Sequence, residues 1–273
     1  LEAQVINTLR PKYPLNQLFH YFSMARSTFY CNLKRAKQPD KYQQVKSEIK
    51  SIFSKNLETF GYRRICLRLV KFGIRICQET VRKLITKLGI KTKVYSKSTS
   101  KRYNSFLGKV GKIAPNFLKQ HFNEKITFKV LHTDITQVQL ADGKKAYISA
   151  IIDEASSEVI SLVVDSNEKF QLVSKMLNET KFKKNLKQII IHSDQGFHYQ
   201  ITSYQSWIKD NHIIQSMSRK GNCLDNAPIE IFFSLLKREC LNRIKLTSLT
   251  SLKQVCEEYV KWFNEEIISG NKK

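Results

Sequence analysis

Three acidic residues stand in settings where a carboxylate has chemistry to do. Asp134 lies in Leu131-His132-Thr133-Asp134-Ile135-Thr136, Asp194 in Ile191-His192-Ser193-Asp194-Gln195-Gly196, and Glu230 in Asn226-Ala227-Pro228-Ile229-Glu230. Each Asp sits on or at the end of an apolar run of strand character, where a carboxylate faces solvent or a partner. The first two are separated by 59 residues (135–193) and the last two by 35 (195–229). Carboxylates that converge repel one another and hold raised pKa values unless a cation neutralises them. Oxygen-only donors suit Mg²⁺ or Mn²⁺. Two such ions about 3.5–4 Å apart stabilise the attacking and leaving oxygens of a phosphodiester in an in-line displacement. Metal-assisted phosphodiester chemistry is the expectation.

The elements that must carry these residues are legible in outline. Residues 126–140, 145–153 and 158–165 have strand patterns, with a turn at Ala141-Asp142-Gly143. A helix over about 168–179, a strand over 188–193, a helix near 199–209 and a short strand around Ile213-Ile214 follow. Long helices then carry Ile231, Phe232, Phe233, Leu235 and Leu236, and after them Leu252, Val255, Tyr259, Val260 and Phe263. Strands first and then strands alternating with helices predict an α/β core with a mixed sheet over 114–273.

Residues 1–90 differ in character. Apolar positions recur at helical spacing through 4–36, broken by Pro39-Asp40, and again at Val45, Ile49, Ile52 and Phe53. Phe60-Gly61-Tyr62-Arg63-Arg64-Ile65 leads into a stripe of Ile65, Leu69 and Val70, a turn at Gly73, and a helix through Val81, Leu84 and Leu88 closed by Gly89. Helix, glycine turn and helix with a basic exposed face predict a helix-turn-helix. Arg63, Arg64, Arg82, Lys83 and Lys87 are its candidate DNA contacts. Residues 91–113, rich in Lys, Ser and Tyr, read as a basic linker.

Charge divides along the same line. The 273 residues carry a formal net charge of +24, which points to a polyanionic partner. Residues 1–113 hold 25 Lys and Arg against five Asp and Glu, a net of +20; residues 114–273 hold 22 against 18, a net of +4. The six cysteines show no C-x-x-C pair and no short spacing to His, so free thiols in a reducing compartment are expected rather than disulfides or zinc. No apolar run has the length of a membrane span and no signal-peptide pattern is present, which makes cytoplasm, in association with the nucleoid, the expected location.

The run Ser216-Met217-Ser218-Arg219-Lys220-Gly221-Asn222-Cys223-Leu224-Asp225-Asn226-Ala227-Pro228-Ile229-Glu230, followed by Phe232-Phe233 and Leu236-Lys237-Arg238-Glu239, resembles the DDE transposases of the IS-three insertion-sequence family. The likeness is to their second-reading-frame product, which carries a retroviral-integrase-type core. His132-Thr133-Asp134-Ile135-Thr136, His192-Ser193-Asp194-Gln195-Gly196 with Tyr199, Val110 through Asn116, and Gly61 through Ile65 extend it over roughly residues 10–265. The resemblance implies an RNase H-like core in which Asp134, Asp194 and Glu230 hold two divalent metals. It also implies double-stranded DNA as partner, both terminal inverted repeats and target, with strand cleavage at element ends, transfer of a 3′-OH, and a homo-oligomeric synaptic complex.

Two features depart from related patterns. The His/Cys zinc module of retroviral integrases is absent from residues 1–113, where His20 is the one histidine. The family's Tyr-Asn pair with its basic tail is here Phe263-Asn264-Glu265-Glu266-Ile267, so a shortened or altered C-terminus is expected. That change leaves two alternatives beside the transposase: a decayed DNA binder that represses transposition, and another RNase H-like nuclease or integrase.

Other residues have plainer readings. Asp153 reads as a turn cap, Asp225 as a loop or cap residue, His192 and His198 as packing or hydrogen-bonding groups, and Tyr204 and Trp207 as core. Lys237, two turns along from Glu230, reads either as a phosphate contact beside the metals or as a solvated lysine.

Overall fold

The computed structural model describes residues 2–94, 111–180 and 188–266, and they divide into two units. The first comprises residues up to Lys55 together with Tyr62–Ile90. Helices α1 (Glu2–Leu9), α2 (Leu15–Tyr21) and α3 (Arg26–Lys37) bury Ala3, Ile6, Leu18 and Phe29 against one another. Helices α4 (Gln43–Lys55), α5 (Tyr62–Lys71) and α6 (Gln78–Lys87) pack pairwise and turn Ile49, Ile52, Ile65, Leu69, Val81 and Leu84 inward. The expected glycine turn is present. Gly73 takes φ +78°, and its N–H bonds Val70 O while Ile74 N–H reaches back to Leu69 O, which closes α5 in a Schellman geometry. Arg82, Lys83 and Lys87 lie exposed along α6.

The second unit comprises Asn56–Gly61 and the chain from Lys91 onward. Its sheet contains β1 (Val130–Gln139), β2 (Lys145–Asp153), β3 (Val159–Asp165), β4 (Ile190–Ser193) and β5 (Ile214–Met217) in the order β3-β2-β1-β4-β5. The first three strands are antiparallel neighbours, whereas β4 and β5 run parallel to β1. This is an RNase H-like sheet. Helices α7 (Phe170–Glu179) and α8 (Thr202–Asp210) cover one face, where Leu131, Ile151, Ile191 and Met217 meet Leu172, Met176, Tyr204 and Ile208. Helices α9 (Ala227–Glu239) and α10 (Leu249–Glu266) cover the other, where Ala146, Ile148, Ala150 and Ile152 meet Phe232, Leu236, Tyr259 and Phe263. Burial on both faces explains why β2 reads as a continuous apolar run rather than an alternation.

Several boundaries differ from the sequence expectation. β1 starts at Val130 rather than 126, because Phe128 takes φ +65° and donates its N–H to Asp153 Oδ1. The strand expected around Ile213-Ile214 extends to Met217. Residues 56–61, expected in the helical region, group with the second unit: Phe60 is buried with its ring 6.0 Å from that of Trp262, and Leu57 O accepts from Arg243 Nη1 at 2.8 Å. Most of the expected linker, and residues 267–273, lie outside the described residues. No helix among the described residues is long and apolar enough to cross a membrane.

Both sheet edges are occupied, which blunts them as templates for further pairing. At β3 the Asn264 amide brackets Val159, accepting from its N–H at 3.0 Å and donating to its carbonyl at 2.9 Å. Along β5 runs the segment 111–118, held by Phe117 N–H to Ser216 Oγ at 3.0 Å and by Met217 N–H to Pro115 O at 3.4 Å. Gly111 makes that approach possible. Its φ is +98°, and a Cβ there would stand 2.1 Å from the Gln200 carbonyl oxygen. Gly111→Ala is therefore expected to lose more stability than Gly143→Ala, whose φ is +84° but whose Cβ would enter open space. Both incur the left-handed cost of about 1–2 kcal/mol, and only the first adds overpacking of about 1–3 kcal/mol. Urea denaturation of the two variants checks this; equal losses would contradict the packing account.

Candidate active site

β1 and β4 are parallel and in register at His132 and His192. Asp134 and Asp194 each follow two residues later, so the register sets them side by side, Asp134 midway along β1 and Asp194 just past the carboxyl end of β4, on strands about 4.8 Å apart. Alternation along β1 decides which way Asp134 points. Leu131 and Ile135 enter the α7–α8 core and Val138 packs into the α9–α10 core, so His132, Asp134 and Thr136 share the face that α9 covers. Along α9, Asn226 at its start meets His132 and Lys237 near its end meets Thr136. Glu230 lies between them, in the first turn.

The electrostatics are those of anions gathered with too little positive charge. Burial, and next the charge of Asp194, holds Asp134 well above the usual carboxylate range, and Glu230 pushes it the same way. Asp194 is raised by burial, against the opposing pull of the Gly196 N–H and His198. Glu230 is raised by burial and then by Asp194. One oxygen of each Asp is fixed by local backbone: Asp134 Oδ1 accepts Ile135 N–H at 2.8 Å, and Asp194 Oδ1 accepts Gly196 N–H at 2.8 Å. Glu230 is the most exposed of the three, and among the described residues no three His, Cys, Asp or Glu side chains close into a single ligand shell.

Lys237 is not a solvated lysine. It is half-buried, its Nζ donates to Thr136 Oγ1, and burial lowers its pKa while the Asp134 charge raises it. It also lines a cleft of about 500 Å³ that runs along the end of β1 between Gln137, Gln139, Asn242 and Lys245. The cleft thus adjoins the carboxylates through Lys237, although none of the three lines it. Arg63, Arg64, Arg82, Lys83 and Lys87 belong to the helical unit.

Four further polar groups of this unit have structural roles. Tyr199 is fully buried, and burial followed by the charges of Asp134 and Asp194 raises its phenol well above the ordinary value. His192 bonds Ser216 Oγ through Nδ1 at 2.8 Å, and burial pushes it down to about 4, so it is neutral at physiological pH. His198 donates to the Glu168 carbonyl. Asp153 caps the β2–β3 turn, accepting Ser156 N–H at 2.8 Å.

The chain is similar to several known proteins. The HTH-like domain matches residues 40–98, and two integrase core domain models match residues 125–223 and 230–270. The chain is 39% identical over 267 residues to "Putative transposase InsK for insertion sequence element IS150" of Escherichia coli (strain K12), spanning 97% of this chain and 93% of that protein. It is 26% identical over 236 residues to "Transposase InsF for insertion sequence IS3A" of the same organism, spanning 85% and 81%. Among solved structures, the HTLV-2 integrase catalytic core domain in complex with magnesium matches with a TM-score of 0.41 and 16% identity, over 54% of this chain and 93% of that one.

The two core matches stop and resume around the segment 224–229, which carries Asp225 and Asn226. Asp225 is buried and accepts from five groups: Asn116 Nδ2 and Arg219 Nε at 2.9 Å, Arg219 Nη2 at 2.9 Å, Arg219 N–H at 2.8 Å and Gln120 Nε2 at 2.7 Å. It therefore ties the loop before α9 to the segment that flanks β5. The Arg219 side chain, with its backbone N–H and Gln120 assisting, holds the Asp225 carboxyl far below the ordinary range. Because the folded value is the lower one, ionised Asp225 contributes stability that is complete above the ordinary aspartate pKa of about 3.9. That contribution is lost as pH falls through the depressed value. Asp225→Ala should cost about 1–3 kcal/mol at neutral pH, since it strands half-buried donors, and the difference from the parent should shrink in acid below pH ~4. Thermal melts across pH 2–7 check both; a pH-independent difference would rule the network out as the cause.

Proposed function

The chain belongs to the IS-three family of insertion-sequence transposases, and from that membership we propose that Asp134, Asp194 and Glu230 are the carboxylates at which it cuts and joins DNA. The family activity is polynucleotidyl transfer in transposition and DNA integration. The observation that supports the residue assignment is the strand register that sets Asp134 beside Asp194, with Glu230 in the first turn of the helix over that face and the Asp194 charge raising both Asp134 and Glu230. Such a cluster is costly unless positive charge joins it, and its all-oxygen donor set fits Mg²⁺ or Mn²⁺. Asp134, Asp194 and Glu230 would hold the metal, taken to be two ions. Bound there, the metal would supply charge stabilisation for the attacking and leaving oxygens of an in-line displacement at phosphorus.

The protein's own groups do the rest. Asp134 and Asp194 start from fixed positions, because strand register and local N–H donors set them. Lys237, anchored on Thr136 beside Asp134, offers a point charge to a phosphate oxygen of the strand in the site. The cleft beyond Lys237, with its amide and lysine rim, suits the continuation of that strand. Tyr199 packs in the core on the opposite face of the sheet, its hydroxyl 3.5 Å from that of Thr133, and so backs the strand that carries Asp134. In the first step, water attacks a phosphodiester at the element end and the 3′-oxygen leaves as a 3′-OH; in the second, that 3′-OH attacks a target phosphodiester, its oxygen bonding to phosphorus as the target strand's own 3′-oxygen leaves and takes up a proton. The helix-turn-helix of α5 and α6 grips duplex DNA through Arg63, Arg64, Arg82, Lys83 and Lys87, and the ends are paired by a homo-oligomer.

Asp134→Asn, Asp194→Asn and Glu230→Gln should each lower cleavage of a duplex bearing the element's own terminal repeats by at least about 10³-fold. That is the loss of several kcal/mol of charge stabilisation at about 1.4 kcal/mol per decade. DNA affinity should hold, and Asp142→Asn, in the exposed β1–β2 turn, should behave as the parent. Mg²⁺ should raise the melting temperature of the parent but not of Asp134→Asn. A folded triad variant with near-parental Mg²⁺-dependent cleavage would remove these carboxylates from the chemistry.

The DNA grip has its own test. Replacing Arg82, Lys83 and Lys87 together by Ala should weaken duplex binding. It should also flatten the dependence of log affinity on log salt by roughly 0.9 for each phosphate that the variant no longer neutralises. An unchanged salt slope would move the DNA-binding face off this side of α6.

A further inference from the structure

We propose that the buried chain Glu154–His132–Asn226 is a positioning device that sets the helix carrying Glu230 against the strand carrying Asp134. The inference rests on the carboxylate assignment above and names what holds its third member in place.

Asn226 occupies the N-cap position of α9, and asparagine is among the best capping residues. Yet its side chain makes no capping hydrogen bond. The amide is spent on β1 instead. Asn226 Nδ2 donates to Thr133 O at 3.1 Å, and Asn226 Oδ1 lies 3.0 Å from His132 Nδ1. Since the amide NH₂ already serves Thr133, its oxygen accepts, and His132 Nδ1 carries the hydrogen. A residue suited to stabilising its own helix thus forgoes that role to clasp the two residues that precede Asp134.

The far side of the imidazole is fixed as well. His132 Nε2 is 2.9 Å from Glu154 Oε2, and Glu154 Oε1 accepts the Glu124 N–H at 2.9 Å. Glu154 N–H in turn donates to Val130 O at 3.0 Å. The rings of Phe122 and His192 pack edgewise on the imidazole at 5.5 and 5.6 Å. His132, Asn226 and Glu154 are all buried. His132 is therefore a rigid spacer whose two nitrogens address different elements: Glu154 after β2 on one side, the start of α9 on the other.

Glu230 follows Asn226 by four residues, little more than one helical turn, on the same side of α9. Any shift of Asn226 relative to β1 passes to the Glu230 carboxylate with almost no lever to absorb it. A misplacement of about 1 Å is enough to cost on the order of 10²-fold in rate. Asp134 needs no such help, because sheet pairing already fixes it. Glu230 does, being the exposed member and the one on a helix.

The test separates the two arms of the imidazole. An asparagine at 132 presents an amide nitrogen near the Nδ1 position and keeps the bond to Asn226; a glutamine presents one near Nε2 and keeps only the bond to Glu154. With the full-length protein, His132→Gln and Asn226→Ala should slow Mg²⁺-dependent end cleavage by about 10²-fold, while His132→Asn stays within about tenfold of the parent. DNA affinity should be unchanged in all three. Mn²⁺ titration calorimetry, which does not depend on turnover, should show weaker binding in His132→Gln and Asn226→Ala, with no further weakening when either is combined with Glu230→Gln. Equal rates and equal Mn²⁺ affinities for the Asn and Gln variants would overturn the proposal, as would losses that simply follow melting temperature. If His132→Gln does not fold, Asn226→Ala and Asn226→Ser carry the comparison, and near-parental cleavage and Mn²⁺ affinity in both would overturn it too. Full cleavage by Glu230→Gln alone would instead refute the carboxylate assignment itself.

Discussion

Negative charge held side by side on two adjacent strands is the constraint from which the rest of this structure follows. Two carboxylates about 5 Å apart at an effective dielectric of 20 repel by about 3 kcal/mol, a large part of the 5–15 kcal/mol by which domains are typically stable. Burial raises both Asp134 and Asp194, and the charge of Asp194 raises Asp134 further because the fold does not let the two separate. A flexible site would relax the repulsion by moving apart. Here Asp134 is on the central strand of the sheet, clamped between β2 and β4, and both faces are covered by helices. The sheet thus acts as the stiff member, and the charge cluster is the load that it bears.

Stiffness alone would place two carboxylates and not the third. Glu230 sits on α9, which is attached to the sheet by packing of Ile229, Phe232, Phe233 and Leu236. Apolar packing fixes a helix well in its distance from a sheet and poorly in its slide along it, because dispersion attractions are numerous but weakly directional. Hydrogen bonds supply the missing direction. Asn226 grips β1 at one end of α9 and Lys237 grips Thr136 toward the other, so helix and strand are pinned at two points that straddle the carboxylate. Asp225 then holds the loop that leads into α9. The polar groups of this region are few, but each addresses a degree of freedom that the apolar core leaves loose.

Much of this was readable from the chain, for physical reasons that also mark the limits of such reading. The strands over 145–153 and around 159–165 were visible because β-branched residues cluster between turn formers, and the helix-turn-helix was visible because apolar spacing switches to 3–4 residues around Gly73. The apolar pattern starts β1 four residues before Val130, since Ile126 and Phe128 have strand character. Only the long-range bond from Phe128 N–H to Asp153 reveals that they turn. Tyr199 and Glu154 have no role legible in local pattern, because their partners lie 16 to 66 residues away; Asn226 reads locally as a natural helix cap, yet its side chain bonds β1 instead of its own helix. Proximity in the chain to a carboxylate was the one available signal: His132 precedes Asp134 by two residues and Asn226 precedes Glu230 by four.

The lodging of Phe60 against Trp262 has a consequence for how the molecule comes into being. The bond from Arg243 to the Leu57 carbonyl spans 186 residues, and the ring pairing with Trp262 closes a longer loop still. Pairings of such separation form late, because the loop entropy must be met before they contribute anything. During synthesis, then, residues 56–61 emerge early, and the contacts of Leu57 and Phe60 with Arg243 and Trp262 wait until that part of the chain has left the ribosome. The helices on either side can form in the meantime from local interactions alone. The N-terminal half is thus able to acquire its structure well before the chain that bears Glu230 has been made.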